Sequence, residues 1–152
     1  MKLTRRLGVV AFWVCWPGLW LYLHFSRRTR VLMTCDDKVL VVMGLLGDNK
    51  WSLPGGGLHA HETAVDGAVR EVREETGVQL SSGQLLLLAH ERFSDKKLSF
   101  DCFYFFTELL ELPTLHRQRG EIAQVTWLDR QALNSGNAGK DVLRALSIHL
   151  LQ

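Results

Sequence analysis

A glycine-rich loop that runs straight into an acid-rich helix sets the tightest limit on how this 152-residue chain folds. Pro54-Gly55-Gly56-Gly57 interrupts any regular element. Thr63 is a natural N-cap with Asp66 three residues on, and Gly77 suits the position just past a helix end. These signals predict a helix over residues 64–76. Val65, Ala68, Val69 and Val72 share one stripe at helical spacing, so that face is buried. Glu71, Glu74 and Glu75 stand at i, i+3 and i+4, within one face roughly 100° wide. Like charges at that spacing weaken a helix, and its last turns favour cations over anions. Two local rules broken at one place point towards a site. A hard divalent cation relieves both penalties, because carboxylate oxygens are its preferred ligands. The alternative is a solvated acidic face softened by Arg70 and Arg73. Glu62 and Arg70 are spaced for an ion pair between loop and helix, or are unrelated surface charges.

Residues 56–78 together resemble the Nudix box, G-x5-E-x7-R-E-U-x-E-E-x-G-U, with U an aliphatic residue. Gly56, Glu62, Arg70, Glu71, Val72, Glu74, Glu75, Gly77 and Val78 match every specified position. The preceding Trp51-x-Leu53-Pro54-Gly55-Gly56 looks like the family's common lead-in. The resemblance implies an α/β (α+β) fold, an α/β/α sandwich with a mixed β-sheet. It also implies a metal-dependent hydrolase that cleaves the pyrophosphate bond of a nucleoside diphosphate linked to another group. Carried over by position, Glu71, Glu74 and Glu75 hold Mg2+ (or Mn2+), with one of them serving as base. Arg70 orients the glutamates, Glu62 and Gly77 support the box, and a carbonyl at Gly56 or nearby completes the metal shell. An acidic site of this kind binds an anionic diphosphate only with a metal to screen the repulsion.

Many family members use a further carboxylate outside the box. Glu121 is the first candidate, with Asp101 and then Glu91 behind it, each against an ordinary surface role. Substrate-binding residues are not identified. Phe103, Tyr104 and Phe105 suit base stacking or a core strand; His59 and His61 suit phosphate or base contact or a solvated loop. The added motifs of the NADH, coenzyme A and ADP-ribose subgroups are not found, which favours a nucleoside-triphosphate-type or generic substrate. A non-catalytic Nudix-like domain for nucleotide sensing or protein interaction is the competing reading, disfavoured by the intact box. An acidic interaction surface without metal is a third.

Around the box, Val31–Thr34 and Val39–Met43 read as a hairpin across a polar turn. Leu85–Ala89, Leu98–Thr107 and Ile122–Leu128 read as further strands, and Asp141–Leu151 as an amphipathic closing helix. The domain is expected over residues 30–152. Cys15, Cys35 and Cys102 show no metal-site spacing and are too few for a disulfide scaffold.

Residues 1–29 form a separate N-terminal hydrophobic segment. Leu7 to Phe25 is a nearly unbroken apolar run with Trp13, Trp16 and Trp20, about the 20 residues that span a bilayer as a helix. Arginines flank it on both sides as candidate interfacial anchors. The expectation is an N-terminal hydrophobic helix anchoring a single-pass membrane protein through residues 7–25, with a cytoplasmic catalytic domain. A mitochondrial presequence, a cleaved signal peptide and an extra buried helix are the alternatives. Basic residues before and after the run balance, so orientation stays open. Residues 1–30 carry six basic side chains and no acid. The other 12 basic and 16 acidic side chains leave the remainder at a formal −4. That balance argues against binding a nucleic-acid duplex. The expected partner is instead a nucleotide or nucleotide-conjugate small molecule.

Overall fold

The structure is a computed structural model that describes residues 27–45, 48–95, 98–116 and 122–151. Among these described residues, five strands and two α-helices follow in the order β1 (Arg27–Cys35), β2 (Lys38–Gly44), α1 (Ala64–Thr76), β3 (Leu86–Asp95), β4 (Leu98–Glu108), β5 (Ile122–Asp129) and α2 (Lys140–His149). The strands form one sheet in the order β3-β4-β1-β2-β5. β1 runs parallel to β4, with Val31 opposite Phe105, while every other pairing is antiparallel. The sheet is therefore mixed, as the family resemblance implied.

Alternation along the strands splits the core in two. Val31, Met33 and Leu40 face α1 and meet its Ala68 and Val72. Leu32, Val39 and Val41 face the other way and meet Val142, Ala145 and Leu146 of α2. Each helix covers one face, giving the α/β/α sandwich. The hairpin turn falls at Asp36, whose φ of 50° is left-handed. β3 runs on to Asp95, well past the expected Ala89, because its pairing with β4 continues to Leu98.

The membrane reading is corrected. Among the described residues no helix is long and apolar enough to cross a membrane. α1 has 13 residues and α2 has 10, against the about 20 that a span needs. The run at 7–25, the N-terminal helix and the presequence alternatives lie outside the described residues, and the single-pass membrane assignment with its cytoplasmic or mitochondrial placement is withdrawn. Three of the flanking arginines are not interfacial anchors. Arg27, Arg28 and Arg30 belong to β1 and pair in register with Asp101, Cys102 and Tyr104. The Arg27 guanidinium lies 5.2 Å from the Phe103 ring and that of Arg28 lies 4.8 Å from Phe100.

β1 thus begins three residues before the boundary read from the sequence. Its first residues hold the glycine loop: Leu58 N–H donates to Arg27 O and Thr29 N–H to Gly56 O, both at 2.9 Å. A chain starting at residue 30 is expected to be less stable than one starting at residue 24 by at least about 2 kcal/mol, at about 1 kcal/mol per net hydrogen bond lost. Urea denaturation of the two chains measures the difference.

Candidate active site

The loop comes first, because it forms the wall that the glutamates face. Ser52 and Val42 exchange both backbone hydrogen bonds, at 2.8 and 2.9 Å. Val31 N–H donates to Pro54 O, Thr29 N–H to Gly56 O, and Leu58 N–H to Arg27 O. Residues 54–58 are therefore pinned along β1. Only glycine fits at 55: φ is +139° and a Cβ there would lie 2.2 Å from Thr29 O. A Cβ on Gly56 would lie 2.6 Å from Glu71 Oε1, so the bare backbone lets that carboxylate approach.

The helix follows its local signals to the residue. Thr63 Oγ1 accepts from Asp66 N–H at 3.2 Å, and Gly77 closes the helix in the left-handed region with its N–H on Arg73 O. Ala68 and Val72 are fully buried against the sheet. That fixes the rotation of α1 and turns Glu71 and Glu75 towards the loop, with the exposed Glu74 beside them on Arg70.

Arg70 organises this face. Its guanidinium has five N–H groups, and each has an acceptor. Nε and Nη2 grip Glu62 at 2.9 and 3.0 Å. Nη1 reaches Glu71 Oε1 at 2.9 Å and Glu74 Oε2 at 3.1 Å. Nη2 also donates to Gly57 O at 3.0 Å. Glu75 is held separately, by Gly55 N–H on Oε2 at 2.8 Å. Three carboxylates around one guanidinium leave a formal −2. The hydrogen bonds from Arg70 hold the Glu62 carboxyl down at about 2, helped by His59 N–H. Bonding to Glu62 in turn raises Arg70 above its ordinary value, so it stays charged throughout.

The donor set is all oxygen, which suits a hard divalent cation. Among the described residues, however, no three of His, Cys, Asp or Glu converge closely enough to hold a metal as they stand. Arg70 Nη1 bridges Glu71 and Glu74, and the Gly56 carbonyl accepts from Thr29.

The carboxylates expected outside the box fare differently. Glu121 lies outside the described residues. Asp101 stands in β4 between Arg27 of β1 and Arg92 of β3. Glu91 is bound by Arg144 Nε of α2 at 3.1 Å, on the sheet face opposite α1. Neither gathers with the three glutamates. Tyr104 and Phe105 are core, and burial drives the Tyr104 hydroxyl up. Phe103 is stacked by His90 at 4.0 Å. His59 and His61 are exposed, His61 with a φ of 66°.

Sequence reading missed a second charged group. Arg30 Nε lies 3.1 Å from Asp141 Oδ2, and Arg30 Nη1 donates to Gly55 O. The local signal is weak: Arg30 shares its strand face with Arg28, Leu32 and Thr34, next to strand residues that read as core. A charge inside an alternating buried pattern calls for a partner. Two adjoining hollows of about 180 and 160 Å³ share Arg30, Asp48 and Ser52. The first reaches Glu75 and the second reaches Phe100 and Lys140.

Comparison with known proteins follows this geometry. The NUDIX domain family matches residues 24–146. Phosphatase NudJ of Escherichia coli is 30% identical over 118 residues, 77% of this chain and 76% of that protein. Human diphosphoinositol polyphosphate phosphohydrolase 3-alpha is 37% identical over 76 residues, 50% of this chain and 46% of that protein. The aligned stretch thus spans about half the length of that relative. The NUDIX domain of Shewanella oneidensis NrtR, solved with ADP ribose, superposes with a TM-score of 0.73 at 15% identity, over 84% of this chain and 87% of that one. At that identity the likeness is one of fold.

Because the Glu62 carboxyl is lower in the folded chain than in the unfolded one, its pairing stabilises fully above the ordinary carboxylate value of about 4.3. The contribution is lost as pH falls from there through about 2. Glu62→Gln is expected to flatten that part of the acid-unfolding profile while lowering stability at neutral pH. Thermal melts from pH 7 to pH 2 on both chains test this.

Proposed function

The chain belongs to the Nudix family, and we propose that it hydrolyses the pyrophosphate bond of a nucleoside diphosphate linked to another group. One observation carries the reading: Glu71 and Glu75 of α1 meet a glycine backbone that leaves room for them, and one saturated guanidinium ties Glu74 to Glu71 beside it. A merely solvated acidic face has no use for that arrangement.

Glu71, Glu74 and Glu75 would hold a divalent ion, Mg2+ or Mn2+, with the Gly56 carbonyl beside them. When bound, such an ion offsets the charge of the diphosphate and lowers the pKa of a water. The chain supplies the rest. Arg70 keeps Glu71 and Glu74 from swinging apart under their own repulsion. The loop backbone fixes Glu75. Water attacks one phosphorus, the bond from that phosphorus to the leaving oxygen breaks, and one of the three carboxylates accepts the proton. Glu74 is the most exposed of them, with a side chain 40% accessible, and we assign it that role. Phosphoryl transfer asks for little beyond such positioning and charge neutralisation.

The substrate is assigned to the paired hollows beside Glu75. Their lining includes three cations, Arg30, Lys50 and Lys140, and one aromatic ring, Phe100. Larger hollows of about 500 and 470 Å³ lie at the β1–β2 turn and beyond the end of α1. They do not touch the glutamates.

The deciding measurement is product formation by the full chain with Mg2+ or Mn2+. The panel holds nucleoside triphosphates, dinucleoside polyphosphates, nucleotide sugars, ADP-ribose and a diphosphoinositol polyphosphate. Glu74→Gln is expected to lower kcat by about 10²-fold or more, the usual loss for a general base, with the fold intact. Binding of metal and nucleotide without turnover would make the domain a sensor instead.

A further inference from the structure

We propose that Arg30 and Asp141, both outside the box, are positioning residues that hold the Gly55 peptide and through it Glu75. The inference rests on the reading of Glu75 as part of a metal site.

The geometry runs as an unbroken chain of contacts. Asp141 is in the first turn of α2; its Oδ2 accepts from Leu53 N–H at 3.0 Å and forms an ion pair with Arg30 Nε at 3.1 Å. Arg30 turns its Nη1 to the carbonyls of Thr29 and Gly55. The Gly55 N–H points at Glu75 Oε2, 2.8 Å away. The carbonyl of Gly55 is thus gripped from the α2 side of the sheet while its N–H steadies a carboxylate on α1. Gly139 makes room for the clamp, since a Cβ there would lie 2.6 Å from Asp141 Oδ1. Gly139 N–H on Trp51 O, at 2.7 Å, ties the start of α2 to the same lead-in.

Stability alone does not account for the pair. Its side chains are only 18% and 9% accessible. A buried ion pair adds little net stability compared with well-packed apolar residues, because both charges must be desolvated. What an apolar pair cannot do is hold a peptide carbonyl in one direction. Gly55, at φ +139°, has no side chain of its own to fix its peptide, so a hold on its carbonyl keeps its N–H on Glu75. Two arginines then divide the work on either side of the loop. Arg70 takes Glu62, Glu71, Glu74 and Gly57 O, and Arg30 takes Gly55, behind Glu75.

The test uses the full chain and two readouts. In the metal-free protein, the Gly55 amide resonance is followed in 1H–15N spectra. With metal, the Kd for Mn2+ is followed by electron paramagnetic resonance. Arg30→Lys keeps a charge opposite Asp141 but loses the planar fork that reaches Gly55. Asp141→Asn keeps an acceptor for Leu53 and loses the charge. Both are expected to move the Gly55 resonance and to weaken Mn2+ binding about 10- to 100-fold, as losing a supporting partner does. Val142→Ala, a fully buried change on the same helix, is expected to lower the melting point and move neither readout. In a Glu75→Gln background, Asp141→Asn should add little further loss, because the effect passes through Glu75.

A Gly55 resonance unmoved by Arg30→Lys, or losses in Mn2+ affinity that simply add to that of Glu75→Gln, would overturn the proposal. If the wild-type chain binds no Mn2+, the metal-site reading fails, and the Gly55 resonance still decides the positioning claim. Should both single variants fail to fold, Arg30→Met with Asp141→Leu removes both charges together. That folded pair must lose the Gly55 position, and retaining it would also overturn the proposal.

Discussion

Charge repulsion among three carboxylates in the last turns of a short helix, with a fourth from the loop before it, is the constraint around which the rest of the molecule is arranged. Glu62, Glu71, Glu74 and Glu75 lie within reach of one loop. Left to themselves they would spread into water and the helix end would fray. Arg70 prevents this by spending every N–H on an acceptor. The arrangement needs a rigid backbone opposite, because a guanidinium that also grips Gly57 O is only as well placed as that carbonyl. The carbonyl is well placed because residues 54–58 lie along β1 as a further backbone ladder.

The sheet therefore serves the site through its central strand. β1 pairs with β2 on one side and β4 on the other, and it also carries the glycine loop. Its side chains alternate between two cores, Val31 and Met33 to α1 and Leu32 to α2. A strand so heavily bonded hardly moves, and Arg30, rising from its α2 face near the loop, inherits that rigidity. Asp141 brings the second helix into the same connection. Both helices thereby bear on one peptide, that of Gly55.

Local chemistry was the legible part. The helix over 64–76 was read to the residue, since a threonine cap and a left-handed glycine act within one turn. The Glu62–Arg70 pair was legible from spacing, and the mixed sandwich from the resemblance. Less legible were features that arise between distant segments. Arg27, Arg28 and Arg30 looked like the flank of an apolar run because they follow one directly. They belong instead to a strand whose partner is some seventy residues away, and a parallel pairing of that kind leaves no local mark. Glu91 looked like a spare acid, although Arg144 of α2 holds it. Phe103, Tyr104 and Phe105 read alike in sequence, yet Tyr104 and Phe105 are buried on opposite faces of the sheet, while Phe103, on the same face as Phe105, is only partly buried and stacks on His90.

By itself the sequence determined the family, the helix that bears the glutamates and the arginine that holds them, because spacing along a helix is spacing in space. Tertiary structure alone decided what stands behind Glu75. Gly55 meets Glu75 and Arg30 across separations of 20 and 25 residues, and Asp141, which pairs with Arg30, reaches Leu53 across 88. Contacts over such distances exist only once the sheet has brought β1, the loop and both helices together. A charge on a strand can call for a partner, but no periodicity or cap says which residue that partner is.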